Sequence, residues 1–300
     1  MTPDQLHVRY PWLTVTTTVE DYVAPAYYDR LLKDYRFSSR TDLERFQTWL
    51  DQTTLPENGR VLELGCGTGR ATKLALQTWG NFRSFQLVDL SPQMLQSSQE
   101  RFSGAYPDLT YTLSDSLYWL EQTTQSYDAV FSLWSFSHSV HQVLTRMGLE
   151  EGVPHCKRIL SQFLCNHLMP GGVFFLIHFD SCSDEQRILI QQWKKVYPIF
   201  ANNTVQSPSK LLIDEVLREL EQEGIIRFTQ SHLIGDEIVY ASEDEALEIF
   251  LNFHMESYFN DSELLPEVID ELRTYFQPYT DATGTIRIKP GCFLTTLQRC

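Results

Sequence analysis

The chain has 300 residues and a formal net charge of −15, with 24 Lys and Arg against 39 Asp and Glu. This excess of acid repels duplex nucleic acid and anionic membrane surfaces, so we expect neither as a partner and favour a neutral or cationic small molecule. Hydrophobic residues make up 42% and charged residues 21%, as in ordinary globular proteins, and no apolar run approaches the roughly 20 residues that span a bilayer.

Targeting and metal signals are missing from the sequence. The first residues lack a basic segment followed by an apolar one, which is the pattern of a secretory signal. The six cysteines form no CxxC pair and no metal-ligand spacing. We therefore expect a reduced cytoplasmic protein without a bound metal, and the sequence leaves its oligomeric state open.

Alternating strand and helix patterns fill the first 180 residues. Helical spacing predicts a cap over residues 1–50. Short apolar runs then predict strands over residues 61–64, 85–90, 109–113, 127–133 and 173–179, and helical segments lie between them. This repetition predicts a parallel sheet with helices on both faces.

The rest of the chain is less regular. Its pattern predicts helices over residues 184–196, 210–223, 242–259 and 262–276, and extended segments over residues 225–234 and 237–241. Two extended runs joined by a Pro-Gly pair predict a closing hairpin over residues 284–300.

The glycine-rich stretch RVLELGCGTGRA, residues 60–71, predicts a strand, a tight turn and a helix. This arrangement brings backbone against a nucleotide-like ligand, since glycines without a Cβ allow a close approach. A dinucleotide-binding turn would space its glycines as GxGxxG. Here Gly65, Gly67 and Gly69 follow Glu63 as ExGxGxG.

That spacing resembles motif I of the class I S-adenosylmethionine (SAM)-dependent methyltransferases. Asp89 stands where this family has an acid after its second strand, and Asp115 where it has one after the third. The segments YDAVFSLWSFSH, residues 127–138, and LMPGGVFFLIHFD, residues 168–180, resemble its later motifs. Five motifs thus occur in the family's order.

The resemblance implies an α/β fold, a Rossmann-like, doubly wound, seven-stranded and mostly parallel sheet, with SAM as the cofactor. We expect a single domain over residues 1–300: a helical cap or lid (1–50), a SAM-binding core (60–180), substrate-side additions (181–280) and the closing hairpin (284–300).

The expected cofactor contacts follow from the same resemblance. Asp89 would accept hydrogen bonds from the ribose hydroxyls, and Asp115 one from the adenine amino group. The whole set is Tyr27, Tyr28, Glu63, Gly65, Cys66, Gly67, Gly69, Asp89, Leu90, Met94, Asp115, Ser116 and Leu133. Tyr22, Tyr27 and Tyr28 could belong to a lid that excludes water, or could pack the cap onto the sheet.

His138 is the main candidate for a catalytic base, and Asp180 could orient it or anchor an amine. His138 could also line the pocket or cap a helix, and Asp180 could cap the next helix. The expected substrate contacts are Tyr22, Trp134, His141, His178 and His254. Trp134, His178 and His254 could instead be core residues, as apolar stripes usually are.

The layout of the C-terminal third resembles that of small-molecule methyltransferases such as the histamine N-methyltransferase family. The predicted function is therefore methyl transfer from SAM to N or O of a small molecule by in-line displacement. Two alternatives remain. One is a different SAM reaction, such as cyclisation or aminocarboxypropyl transfer with release of methylthioadenosine. The other is a non-catalytic SAM-binding partner protein.

Overall fold

The structure is a computed structural model that describes residues 2–14, 28, 32, 35–106, 108–201 and 206–300. In chain order the strands are β1 (Arg36–Phe37), β2 (Arg40–Thr41), β3 (Arg60–Leu64), β4 (Ser84–Asp89), β5 (Leu109–Leu113), β6 (Tyr127–Leu133), β7 (Leu168–Phe179), β8 (Ile226–Ile234), β9 (Ile238–Tyr240), β10 (Ile286–Ile288) and β11 (Gly291–Arg299).

Seven of these strands form one sheet with the spatial order β5-β4-β3-β6-β7-β11-β8. The five strands from β5 to β7 run parallel, and β11 lies antiparallel between β7 and β8. The strand order reverses direction at β3, because β4 and β5 lie on one side of it and β6 and β7 on the other. In open α/β sheets such a switch point is where ligands bind.

Helices cover both faces of the sheet. They are α1 (Pro3–Arg9), α2 (Asp42–Gln52), α3 (Arg70–Trp79), α4 (Pro92–Phe102), α5 (Ser116–Gln122), α6 (Phe136–Asn166), α7 (Asp184–Trp193), α8 (Pro208–Gln222), α9 (Glu243–Ile249) and α10 (Leu265–Phe276). A π-helical turn, Phe250–His254, extends α9. Within the described ranges no helix is long and apolar enough to cross a membrane.

Side chains alternate between two apolar cores along the buried strands. In β6, Ala129 and Phe131 face the core that contains α2, α3, α7 and α10, whereas Val130 faces the core of α5, α6 and α8. In β3, Val61 faces the first of these cores and Leu62 faces the second. The predicted doubly wound α/β sheet is therefore the observed fold.

Two predictions about local structure are wrong. Residues 284–300 form no hairpin, because β10 pairs with β9 while both edges of β11 are taken by β7 and β8. Helix 242–259 is also interrupted, since α9 passes into the π-helical turn and the chain then leaves the helix.

The start of one helix lies next to the sheet. α6 starts at Phe136, directly after β6, and breaks at Gly148, whose φ of 76° is not helical. This start places the first turns of α6 at the carboxyl end of the sheet, where the candidate site lies.

Candidate functional site

A cavity of about 180 Å³ lies at the carboxyl ends of the parallel strands. The glycine turn and the loops after β4, β5 and β6 form one end of it. α7 contributes Gln186, Leu189 and Trp193, which the helical period brings to one face. The π-helical turn and the residues after it complete the wall with Phe253, His254 and Glu256.

The three glycines of the turn are needed for different structural reasons. Gly65 has a φ of 72°, and a Cβ there would lie 1.9 Å from Oγ of Ser135. Gly69 has a φ of 81°, and a Cβ there would lie 2.5 Å from the ring of Phe102. Gly67 has a φ of 52° and borders the cavity, and a Cβ there would meet no protein atom within 4 Å. Gly65 and Gly69 thus permit close packing, whereas Gly67 leaves open space on the cavity side.

Asp89 fixes the glycine turn to the end of β4. Its Oδ2 accepts a hydrogen bond of 2.7 Å from the Gly67 amide, and Oδ1 accepts one of 2.9 Å from Ser91 N. Burial raises the pKa of the Asp89 carboxyl, and these amide donors partly oppose that shift. The carboxylate borders the cavity with lone pairs that can accept further hydrogen bonds.

Four further predicted cofactor contacts line the same cavity. Leu90 and Met94 follow Asp89, and Asp115 and Ser116 follow β5. One oxygen of Asp115 accepts a hydrogen bond of 3.0 Å from Tyr118 N and so caps α5. The sequence therefore places these residues together correctly.

A smaller space of about 30 Å³ lies on the other side of the glycine turn. Glu63, Cys66 and Leu133 border it. The Glu63 carboxylate accepts a 2.5 Å hydrogen bond from Thr72, and burial raises the pKa of Glu63 well above its ordinary value. Burial also raises the pKa of the Cys66 thiol, which argues against a nucleophilic thiolate.

Tyr28, a predicted cofactor contact, borders both spaces. Burial raises the pKa of its hydroxyl, so it stays protonated. Tyr22 and Tyr27 lie outside the described residues.

Trp134 borders both spaces and has an unusual backbone conformation. Its φ is 71°, a costly conformation for a bulky residue. Its indole Nε1 donates a 2.9 Å hydrogen bond to Oδ2 of buried Asp42, which Arg70 also contacts at 3.2 Å. The ring stacks on Phe37 at 5.8 Å between centroids. Trp134 therefore both borders the cavity and belongs to the core.

His138 borders the cavity near the start of α6. Its side chain is exposed towards that space, yet the surrounding protein desolvates the imidazole and lowers its pKa. The rings of His138 and Phe179 pack edge to face, with their centroids 6.0 Å apart. A neutral imidazole in this place can accept a proton.

His254 lies on the opposite wall and is held by two buried groups. Its Nε2 is 3.2 Å from the Tyr35 hydroxyl and 3.6 Å from the Glu185 carboxylate, and Tyr35 donates to Glu185. Burial lowers the pKa of His254, and the charge of Glu185 opposes this. With its proton on Nε2, directed to Tyr35, Nδ1 is left as the basic nitrogen.

Three residues predicted to be catalytic or to bind substrate lie away from the cavity. The Asp180 carboxylate accepts hydrogen bonds from His232 at 2.7 Å, Gln206 at 3.0 Å and Cys182 N at 2.9 Å. His178 is 1% exposed and stacks on Phe293. His141 packs against Phe200.

Burial lowers the pKa of both His141 and His178 to about 3. His178 is therefore a neutral core residue and His141 a neutral, partly buried one, and the structure does not bring Asp180 next to His138.

The sequence interpretation missed Glu256. This residue borders the cavity two positions after His254 and has a φ of 53°. Burial raises its pKa to about 7. One signal was available: the segment FHMESYF, residues 253–259, places a single acid among aromatic residues.

Comparison with known proteins identifies a match to the segment that forms the glycine-turn end of the cavity. Residues 61–160 match the family model described as a methyltransferase domain. This segment is a methyltransferase domain. The prediction of such a domain is confirmed, and the match supports SAM as its cofactor.

Two curated relatives match between 34% and 39% of the chain. A malonyl-[acyl-carrier protein] O-methyltransferase of Paenibacillus sp. (strain JDR-2) is 30% identical over 105 residues, which cover 34% of this chain and 35% of that protein. The enzyme of the same name from Acetivibrio thermocellus is 26% identical over 120 residues, or 39% of this chain and 41% of that protein. The matches thus span well under half of these relatives.

The fold as a whole resembles that of a solved protein at low sequence identity. The structure of the cyclopropane synthase MmaA2 from Mycobacterium tuberculosis aligns with a TM-score of 0.50 and 14% identity over 94% of each chain. This likeness concerns the fold, and it agrees with the predicted Rossmann-like sheet.

The residues around the methyltransferase domain's glycine turn fit SAM. The open side of Gly67 provides space for close approach of a ligand to the backbone. Asp89 provides acceptors suited to ribose hydroxyls, and Leu90 and Met94 provide an apolar surface suited to a base. Site geometry and family match therefore agree on the kind of cofactor.

Proposed function

We propose that the protein is a SAM-dependent methyltransferase that acts on N or O of a small molecule. The observation that carries this proposal is the single cavity that joins the glycine turn and Asp89 to three possible proton acceptors, His138, His254 and Glu256. A cofactor end and an acceptor end are thereby within one enclosure.

In this proposal Asp89 binds the ribose hydroxyls, while Leu90, Met94 and Asp115 contact the adenine. The glycine turn and Tyr28 lie towards the methionine end. When bound, SAM supplies a methyl group activated by its sulfonium and leaves as S-adenosylhomocysteine.

The chain itself has to align the acceptor, exclude water and remove a proton. Aromatic walls formed by Trp134, Phe179, Trp193 and Phe253 exclude water from the acceptor end. His138 and His254 are both kept neutral by burial and so can accept a proton at neutral pH.

A small acceptor is favoured over a malonyl group on a carrier protein, although the curated relatives carry that name. No Lys or Arg lines the cavity in the described part of the chain, so a malonyl carboxylate would have no cationic partner there. The predicted resemblance of the C-terminal layout to the histamine N-methyltransferase family points in the same direction.

Isothermal titration calorimetry with SAM tests the cofactor end. The wild type should bind SAM, and Asp89→Ala and Gly67→Trp should lower the affinity at least about 10-fold, since they remove the ribose acceptor or fill the open space. Absence of binding to the wild type would end the proposal, including its non-catalytic alternative.

Incubation with SAM and metabolite pools tests the reaction. We expect S-adenosylhomocysteine together with a product enlarged by one methyl group. Methylthioadenosine as the by-product would instead indicate cyclisation or aminocarboxypropyl transfer. Binding of SAM without any product across broad pools would favour a non-catalytic binding protein.

A further inference from the structure

The carboxylate of Glu256 borders the cavity at the acceptor end and takes no part in the cofactor contacts described above. Within the described ranges it has no hydrogen bond or ion pair, and burial alone accounts for the rise of its pKa to about 7. A desolvated carboxylate without a partner among the described residues is costly to a fold, so its place at the wall of a cavity suits a cation that enters that cavity.

The walls around this carboxylate suit an organic cation. Trp193, Phe253 and Tyr28 line the same cavity, and the rings of Tyr28 and Phe253 lie 5.7 Å apart. Aromatic faces attract ammonium groups through their quadrupoles. No cationic side chain from the described residues lines the cavity to compete for the carboxylate.

The turn that carries Glu256 is rigidly built. Glu256 and Ser257 both have left-handed backbone, with φ of 53° and 58°. Ser257 Oγ lies 2.6 Å from Thr14 Oγ1, which also donates to Asn252 at 3.2 Å. Asn260 donates to the same Asn252 oxygen at 2.7 Å. This partly buried network holds the strained turn and therefore keeps the carboxylate in place.

We propose that the acceptor is an amine that binds as its ammonium form, with Glu256 as the counter-ion and the rings of Trp193 and Phe253 beside it. This inference rests on the proposed methyltransferase function. It narrows the atom that receives the methyl group from N or O to an amine nitrogen.

Amine methylation also requires a proton acceptor, because an ammonium nitrogen has no lone pair. One proton passes from the ammonium to the Glu256 carboxylate, and the freed lone pair forms the N–C bond as the electron pair of the S–C bond stays on sulfur. The nitrogen thus gains one methyl group for one proton lost. With its pKa raised to about 7 by burial, Glu256 can hold this proton near neutral pH.

Calorimetry on the full chain loaded with S-adenosylhomocysteine tests the proposal directly. The probes are 2-phenylethylamine and 2-phenylethanol, which have similar size and differ in charge. The wild type should bind the amine at least about 10-fold more tightly, and Glu256→Gln should reduce this preference to about 2-fold or less. Glu256→Asp, which keeps the charge, should retain part of it.

Glu263→Gln is the matched control, because it removes the same charge from an exposed position seven residues further on. It should keep the full preference, and all variants should bind S-adenosylhomocysteine as the wild type does. Equal binding of the two probes, no binding of the amine, or a preference that survives Glu256→Gln would overturn the amine proposal alone. Failure of the wild type to bind S-adenosylhomocysteine would remove the proposed function and this inference with it.

Discussion

The indole Nε1 of Trp134 donates a 2.9 Å hydrogen bond to the buried carboxylate of Asp42. This bond connects the residue after β6 to the first residue of α2. Arg70, at the start of α3, forms an ion pair with the same carboxylate. The three elements surround the glycine turn, so we regard this contact as a support for the turn's geometry.

Trp134→Phe should destabilise the protein by about 1–2 kcal/mol, because Asp42 loses a donor in a buried site. Urea unfolding measures this change. A double-mutant cycle with Asp42→Asn should show a coupling energy of at least about 0.5 kcal/mol, as expected for groups in direct contact. Additive costs of the two substitutions would contradict the role assigned to this bond.

Alanine substitutions at Gly65 and Gly67 should separate stability from cofactor binding. Both positions have a positive φ, which costs a residue with a Cβ roughly 1–2 kcal/mol. Gly65→Ala adds a collision with Ser135 and should lower the melting temperature much more than Gly67→Ala. Gly67→Ala should instead mainly weaken SAM binding, since its Cβ would occupy the open side.

Thermal unfolding and SAM calorimetry on the same two variants provide the check. The paired variant Gly65→Ala with Ser135→Gly should recover part of the lost stability, because it removes the collision and leaves only the φ cost. Equal melting temperatures for the two single variants would show that the contact between Gly65 and Ser135 is unimportant.

The sequence predicted the sheet well because buried parallel strands are continuous apolar runs. The bounds of Leu109–Leu113 and Tyr127–Leu133 agree with prediction to the residue. The pairing of β11 was not predictable from local pattern. Its neighbours β7 and β8 are distant in sequence, whereas the Pro290-Gly291 pair gives a local signal for a hairpin with β10.

At the site, the glycine-turn end was predictable and the acceptor end was not. Asp89 and Asp115 follow strands whose place in the sheet is set by the β-α repeat. Glu256 lies beyond a π-helical turn, which adds a residue to the helical repeat and changes the face that the following residues occupy. A simple period of 3.6 therefore does not place this acid at the cavity.

The stability of the folded protein should decrease as the pH rises, because of Glu256. Its pKa is about 7 in the folded protein against an ordinary value of 4.5, so the folded state favours the protonated form. The unfolded chain releases this proton first, and the free energy of unfolding therefore decreases between about pH 4.5 and pH 7. The loss should be of the order of 2 kcal/mol, allowing for the part of the carboxyl that borders the open cavity.

Urea unfolding of the wild type and Glu256→Gln at pH 4.5 and pH 8 measures this effect. The two proteins should differ little at pH 4.5, and the Gln variant should be the more stable at pH 8. Glu263→Gln again serves as the control and should change neither value by more than about 0.5 kcal/mol. A wild type more stable than Glu256→Gln at pH 8 would show that the carboxylate has a cationic partner in the free protein.

The buried Glu185 should control the protonation of His254, which it approaches at 3.6 Å. Burial lowers the pKa of His254, and the negative charge of Glu185 acts in the opposite direction. Glu185→Gln should therefore lower the pKa of His254 further, which an NMR titration of the imidazole signals measures, with the remaining histidines as internal reference. Tyr35→Phe keeps the charge, removes the hydroxyl between the two groups, and should have a smaller effect. If Glu185→Gln raised the pKa of His254 or left it unchanged, the carboxylate would not be its electrostatic partner.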